Sequence, residues 1–284
     1  MNTHLKGLVI TALGVLFVVP DSLFVRLIEA DPLVVTFWRG ITSGLLVLAA
    51  VVLVPSLGRL PAIFRTGWTG VVYIALMGST GPGFVMAVTN TSVANVVFIF
   101  ASIPMFAAIF SRIFLGEPIT RRIVITMIAV AAGLAIIAYG SGANEIASWK
   151  GDVWALYVSM AYAGALTAVR PLREISMVPA IPIAYIASAL VVWPFIEPMA
   201  AFPAQWTLFL GHGAFIGIAT CFLTLGPRYI SSTEVSLLIL LESVLAPMLV
   251  WLVVGENPGR WALVGGAVVL SALVISNLWV LRRQ

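Results

Sequence analysis

Residues 115–118 read LGEP, and residues 254–258 read VGENP. Each follows a long apolar stretch: TSVANVVFIFASIPMFAAIFSRIF (91–114) before the first, SSTEVSLLILLESVLAPMLVWLVV (231–254) before the second. Laying Gly116-Glu117 on Gly255-Glu256 places Asn95 on Glu234 and Ile103 on Glu242. The match extends outward. Lys6-Gly7 pairs with Lys150-Gly151, and at the same offset Arg26 falls on Arg170. GWT at 67–69 pairs with QWT at 205–207, which puts Phe84 on Phe222. Residues 1–143 and 147–284 therefore read as two copies of one unit. Chance similarity of apolar segments would not also pair the corners and the segment starts.

The chain has 284 residues, 61% hydrophobic and 9% charged. Soluble domains are nearer a quarter charged, so the solvent is lipid. Apolar runs of about 20 residues, the length a bilayer demands of a helix, recur at 5–28, 33–54, 67–89, 91–115, 120–140, 151–170, 179–198, 206–227, 232–254 and 259–280. We number them spans one to ten. The first is too long, and followed by too many others, for a cleaved signal peptide. Each unit holds five spans, an odd number, so the copies sit in opposite orientations. The fold class is an all-α integral membrane protein of ten transmembrane helices in two inverted five-helix repeats, forming one membrane domain. Inverted repeats mark secondary transporters, whose halves rock about a central site.

Short-loop Lys and Arg set the orientation. With a cytoplasmic N-terminus, eleven fall inside: Lys6, Arg59, Arg65, Arg112, Arg121, Arg122, Arg170, Arg173, Arg228, Arg282 and Arg283. Three fall outside, Arg26, Lys150 and Arg260, and Arg39 stays within a span. Both termini are expected in the cytoplasm. The basic balance thus reports topology, not nucleic acid. The single cysteine, Cys221, excludes an intrachain disulfide and a cysteine-based metal site.

The ten spans and paired corners resemble the drug/metabolite transporter superfamily, and within it the EamA-like exporters. PLVVTFWRG (32–40) resembles that family's second-span motif ending in a buried Arg. ASIPMFAAIFSRIFLGEP (101–118) and LESVLAPMLVWLVVGENP (241–258) resemble its fourth and ninth spans. The chain is most similar to the aromatic amino acid exporter group. The resemblance implies export of amino acids from a bacterial cell through the inner membrane. Two features depart from the pattern. Ser243 stands where family members often have Pro after the ninth-span Glu, with a proline one turn later at Pro247. Arg39 has no counterpart in the second half, where Ile183 aligns with it.

GSTGPGF (78–84) carries three glycines and a proline inside span three. As a phosphate loop it fails, because Phe84 and Val85 replace the Lys and Ser/Thr. A protease pair of Ser79 with His212 has the wrong register, with Thr80 in the nucleophile position. The remaining readings are a broken helix lining a cavity and tight packing by small residues. In the first, Ser79, Thr80, Gly81, Gly83 and Phe84 face substrate and Pro82 is a hinge. Its partner, IGIATCF (216–222), keeps small residues, including Thr220, without the proline.

Asp21 and Arg39 lie about seven residues from the outer end of spans one and two, roughly 10 Å at 1.5 Å per residue. Equal depth on antiparallel neighbours suggests an ion pair; the alternative is that Arg39 meets a substrate carboxylate. Glu242, mid-span, reads as a proton-coupling site, as a neutral carboxylic acid bonded to a neighbouring helix, or as a contact for a substrate amine. Glu117 and Glu256 are expected to shape the repeated turns. Asn95, Phe98 and Ser102 share one helical face. Ser236 and Ser243 are seven apart on span nine. Trp38, Trp154, Tyr157 and Tyr162 offer aromatic walls, with the interfacial belt as the alternative for the tryptophans. Pro104 and Pro247 are further hinge candidates.

These residues point to a secondary transporter for small amphipathic metabolites, working by alternating access as a uniporter or with weak proton coupling. Its partners are the substrate and the bilayer, and a monomer suffices. There is no ATP motif, no cofactor or metal site, and no convergent His/Asp/Ser/Cys cluster of an enzyme. A drug or other metabolite exporter of the same fold, and a substrate-permeable channel, are the alternatives.

Overall fold

The computed structural model describes residues 3–141, 147–172, 175–226, 229–230 and 232–281, and its regular elements are helical throughout. Arg173, Arg228, Arg282 and Arg283 lie outside the described residues. Span one is α1 (Thr3–Val18) and α2 (Asp21–Leu27), and span two is α3 (Pro32–Leu53). A short α4 (Leu60–Ile63) leads to span three, α5 (Gly67–Asn90). Span four is α6 (Val93–Phe100) and α7 (Ile103–Leu115), and span five is α8 (Arg121–Ser141). The second repeat follows as α9 (Trp149–Ala168), α10 (Ala180–Val192), α11 (Phe202–Leu225), α12 (Ser232–Val254) and α13 (Arg260–Leu281). Among the described residues, nine helical stretches are long and apolar enough to cross a membrane, and Ala180–Phe195 is a shorter apolar one. Span seven is thus shorter than the sequence suggests, because Pro194 lies in a 3-10 turn, Trp193–Phe195, that ends it.

The prolines well inside spans one, three, four and nine sort by the residue four places earlier, whose carbonyl the ring would strike. Pro20 follows Leu16 and Pro104 follows Phe100; at these two, the helix breaks. Pro82 follows Gly78 and Pro247 follows Ser243; at these two, α5 and α12 run on. A small residue gives the backbone room to shift. The expected break at GSTGPGF is therefore corrected: span three is continuous. Ser79 and Thr80 donate to the carbonyls of Leu76 (2.8 Å) and Met77 (2.6 Å), satisfying acceptors of the same turns. Pro104 instead occupies the first turn of α7, after a junction where Ser102 N and Oγ both bond Ile99 O. In the repeat, Pro104 aligns with Ser243 and Pro20 with Gly164, so spans nine and six keep the N–H and continue.

Packing follows the exchange of spans one to five with six to ten. α5 packs on α9 as α1 packs on α11, α10 on α5 as α3 on α11, and α7 on α9 as α12 on α1. α3 with α10 and α8 with α13 are pairs that the exchange maps onto themselves. Glycines bring these axes close. A Cβ on Gly133 would lie 2.8 Å from Gly265 O, and one on Gly265 would lie 2.6 Å from Gly133 O. On α3, Gly40 and Gly44 meet Tyr185 and Ile186 of α10. Such small-residue contacts replace the hydrophobic drive that lipid does not supply. Both corner glycines, Gly116 (φ 70°) and Gly255 (φ 73°), have a left-handed backbone, which is why glycine recurs there.

The two ends of the bundle differ. Val93 through Ile99 of α6 are all buried, whereas Ser111 is the buried residue of α7. Among the described residues, α12 packs on α6 but not closely on α7 or α8. Spans four and nine therefore meet at the end away from the termini and part toward the end that holds them.

Replacing Gly265 with Leu should drive α13 off α8 and cost about 1–3 kcal/mol. A lowered midpoint of thermal unfolding in detergent would report it.

Candidate functional site

The break at Pro20 starts a new helix with Asp21 in its first turn. Arg39 of α3 reaches it in a two-pronged bond: Nε donates to Oδ1 (3.0 Å) and Nη2 to Oδ2 (2.8 Å). His212 of α11 joins them, with Nε2 2.6 Å from Asp21 Oδ1. All three side chains are nearly closed to solvent. The ion pair expected from equal depth is present, and three spans from both repeats meet in it. Phe24 stacks on the His212 ring at 5.4 Å, and the Arg39 guanidinium lies over the Phe84 ring at 5.2 Å.

Among the buried polar atoms without a hydrogen-bond partner among the described residues are His212 Nδ1, Ser188 Oγ and Ser22 Oγ, the last on the residue next to Asp21. The position a Cβ on Gly81 would take is 3.7 Å from Arg39 Nη1, the nitrogen that makes neither bond to Asp21, and 3.6 Å from Ser188 Oγ. Glu242 lies within electrostatic reach of Asp21, and Tyr162 within reach of Glu242 and Tyr185. Tyr185 also stands 3.4 Å from Thr220 through its hydroxyl. Arg39, Gly81, Phe84 and Ser188 thus lie together beside the Asp21 carboxylate.

Other candidates are engaged elsewhere. Asn95 donates to Asp152 (3.0 Å) and Ser141 (2.7 Å) in a buried network completed by Thr91. Phe98 fills the space beside Gly266, and Ser102, at the α6–α7 junction, bonds Ile99 O of α6. Trp38 donates to Pro198 O (2.8 Å) and stacks on Phe202 at 3.9 Å. Trp154 and Tyr157 form an exposed edge-to-face pair. Gly78 and Gly83 are packing residues: a Cβ would lie 2.9 Å from Ala184 O or 2.7 Å from Val158. Ser243 is buried, with its hydroxyl 3.5 Å from Val97 O on α6. The side chain of Ser236 lies outside the described residues. The protease pairing is gone: Ser79 bonds its own helix and His212 bonds Asp21. Among the described residues, no group of three or more His, Cys, Asp and Glu could hold a metal ion.

His212, Ser188 and Tyr185 are the site residues that sequence reasoning missed. His212 had a usable signal. It lies about as deep in span eight as Asp21 and Arg39 lie in spans one and two, six residues past Trp206.

Two segments, 5–139 and 149–278, match the EamA-like transporter family, one in each repeat. The chain belongs to that family. It is a multi-pass membrane protein that transports small molecules, as EamA-like proteins do. A solved crystal structure 16% identical to it aligns over 98% of this chain and 99% of the other, with a TM-score of 0.66. At that identity the likeness shows the fold alone. Among curated proteins, none matches this EamA-like chain.

Replacing Asp21 with Asn should leave the Arg39 charge buried without its counter-ion and cost about 3–5 kcal/mol. Asp21→Leu with Arg39→Met should recover most of that in thermal unfolding while transport stays abolished. Gly81→Ala should leave the unfolding midpoint nearly unchanged, whereas Gly83→Ala should lower it.

Proposed function

We propose that this EamA-like protein exports amino acids and related small amphipathic metabolites across the bacterial inner membrane by alternating access. The observation that carries the reading is the buried Asp21–Arg39–His212 cluster with one arginine nitrogen left over. A zwitterion needs both of its charges answered within one site. Arg39 Nη1 answers a carboxylate and Glu242 an ammonium. Phe84, Tyr162 and Tyr185 supply the apolar walls that favour hydrophobic side chains.

The gap between spans four and nine fits a state that loads from the end holding the termini. With the termini in the cytoplasm, as the loop charges favour, that gap faces the side where an exporter loads. The same asymmetry speaks against a channel, whose path would be open at both ends. Uniport is the simpler energetic scheme; Glu242 is the group for proton coupling if coupling exists. A drug or another metabolite as cargo is the second reading, favoured by the Phe84–Phe100 aromatic pair beside Arg39.

Liposome counterflow tests these points. Labelled hydrophobic amino acids should accumulate against unlabelled substrate inside, with saturation, and a proton gradient should leave the initial rate unchanged for a uniporter. Arg39→Lys, which loses the planar fork, should cut the rate about tenfold or more. No saturable exchange of any amino acid would overturn the substrate; flux rising linearly with concentration would restore the channel.

A further inference from the structure

Four residues singled out by the repeat remain unexplained by the binding site: Arg26, Arg170, Glu117 and Glu256. The sequence aligns Arg26 with Arg170 and Glu117 with Glu256. The structure joins them crosswise. Arg26 pairs with Glu256, and Arg170 pairs with Glu117. Each arginine thus takes the corner glutamate of the opposite repeat, and the two bridges lie at opposite ends of the bundle.

Related by the repeat, the bridges differ in what they hold among the described residues. At the closed end, Arg26 Nε is 2.7 Å from Glu256 Oε2. This contact is held by charge, since Nε makes no directed hydrogen bond. The directed bonds go across to spans three and four: Arg26 Nη2 donates to Thr91 O (2.8 Å), and Glu256 Oε1 accepts from Val93 N (2.6 Å). Val93 is the first residue of α6, so the carboxylate sits on an otherwise free N–H at a helix start. The side chains are 20% and 8% exposed. At the other end, Arg170 and Glu117 are each 42% exposed, where α12 stands away from α7. In the repeat, Val93 corresponds to Ser232 and Thr91 to Ile230, at the start of α12.

We propose that the two Gly-Glu corners are alternating latches. Arg26–Glu256 clamps the start of α6 in the state seen here, and Arg170–Glu117 clamps the start of α12 in the opposite state. In that second state Glu117 accepts from Ser232 N and Arg170 donates to Ile230 O, while Glu256 leaves Val93. The transport cycle then exchanges one closed corner for the other. Both glutamates stay paired with their arginines throughout, so no bare charge is exposed to lipid at either step. The inference rests on the alternating-access reading above.

The test uses the full chain in phosphatidylethanolamine–phosphatidylglycerol vesicles, in a Cys221→Ala background. Spin labels at Lys150→Cys and Asn257→Cys measure the gap at one end, and labels at Leu5→Cys and Thr120→Cys the gap at the other, by pulsed electron paramagnetic resonance. Proline is tolerated at the first position of a helix, so Val93→Pro and Ser232→Pro each remove the clamped N–H while leaving the helical backbone in place. Val93→Pro and Arg26→Gln should raise the population open at the Lys150–Asn257 end by roughly tenfold, the scale of one charged hydrogen bond. Ser232→Pro and Glu117→Gln should lower that population by a similar factor. Shifts in the same direction for both sets, or two populations that none of the folded variants moves, would overturn the latches. A single distance at both ends under all conditions would overturn alternating access, and the latches with it.

Discussion

Hydrocarbon offers no hydrogen bonds, so this bundle has to answer every polar group from within. That constraint explains the pairing of Asp21 with Arg39 and His212, three titratable side chains placed where one alone would be expelled. It explains why Ser79 and Thr80 turn back onto their own helix beside Pro82. It also explains the Asp152 network, in which Thr91, Asn95 and Ser141 surround a carboxylate in the first turn of span six. Polar residues that look available in a sequence are in several places spent on other polar residues.

The inverted repeat supplies the frame, and the prolines make it unequal. Spans one and four are broken while their partners, spans six and nine, are continuous, because Gly164 and Ser243 stand where Pro20 and Pro104 do. The first break places Asp21 at a helix start. The second separates α6, buried from Val93 through Ile99, from α7, whose buried residue is Ser111. One repeat is thus jointed at the places where the other is stiff, and the functional cluster sits beside a joint.

Much of this was legible in the residues. Apolar run lengths give the spans, and the Gly-Glu corners give the repeat. Equal depth gives the Asp21–Arg39 pair. What stayed hidden needed the third dimension. GSTGPGF reads as a breakage point from its glycine and proline content, yet Gly78 and Gly83 are there for neighbours, Ala184 and Val158, that lie far along the chain. The aligned Arg26 and Glu256 could be recognised as repeated positions. Their partnership could not, because it depends on span one packing with the second repeat. Asn95, a plausible substrate contact by helical face, faces Asp152 instead because α6 is walled in by α9, α12 and α13.

The Arg39–Asp21 bond joins consecutive spans, whereas His212 is 191 residues away from Asp21. The first two spans therefore carry each other's counter-charge at Asp21 and Arg39. Each would otherwise cost at least about 2.5 kcal/mol at the centre of a helix entering the membrane. Spans one and two can thus enter the membrane as an electrically neutral pair, with the imidazole supplied by span eight.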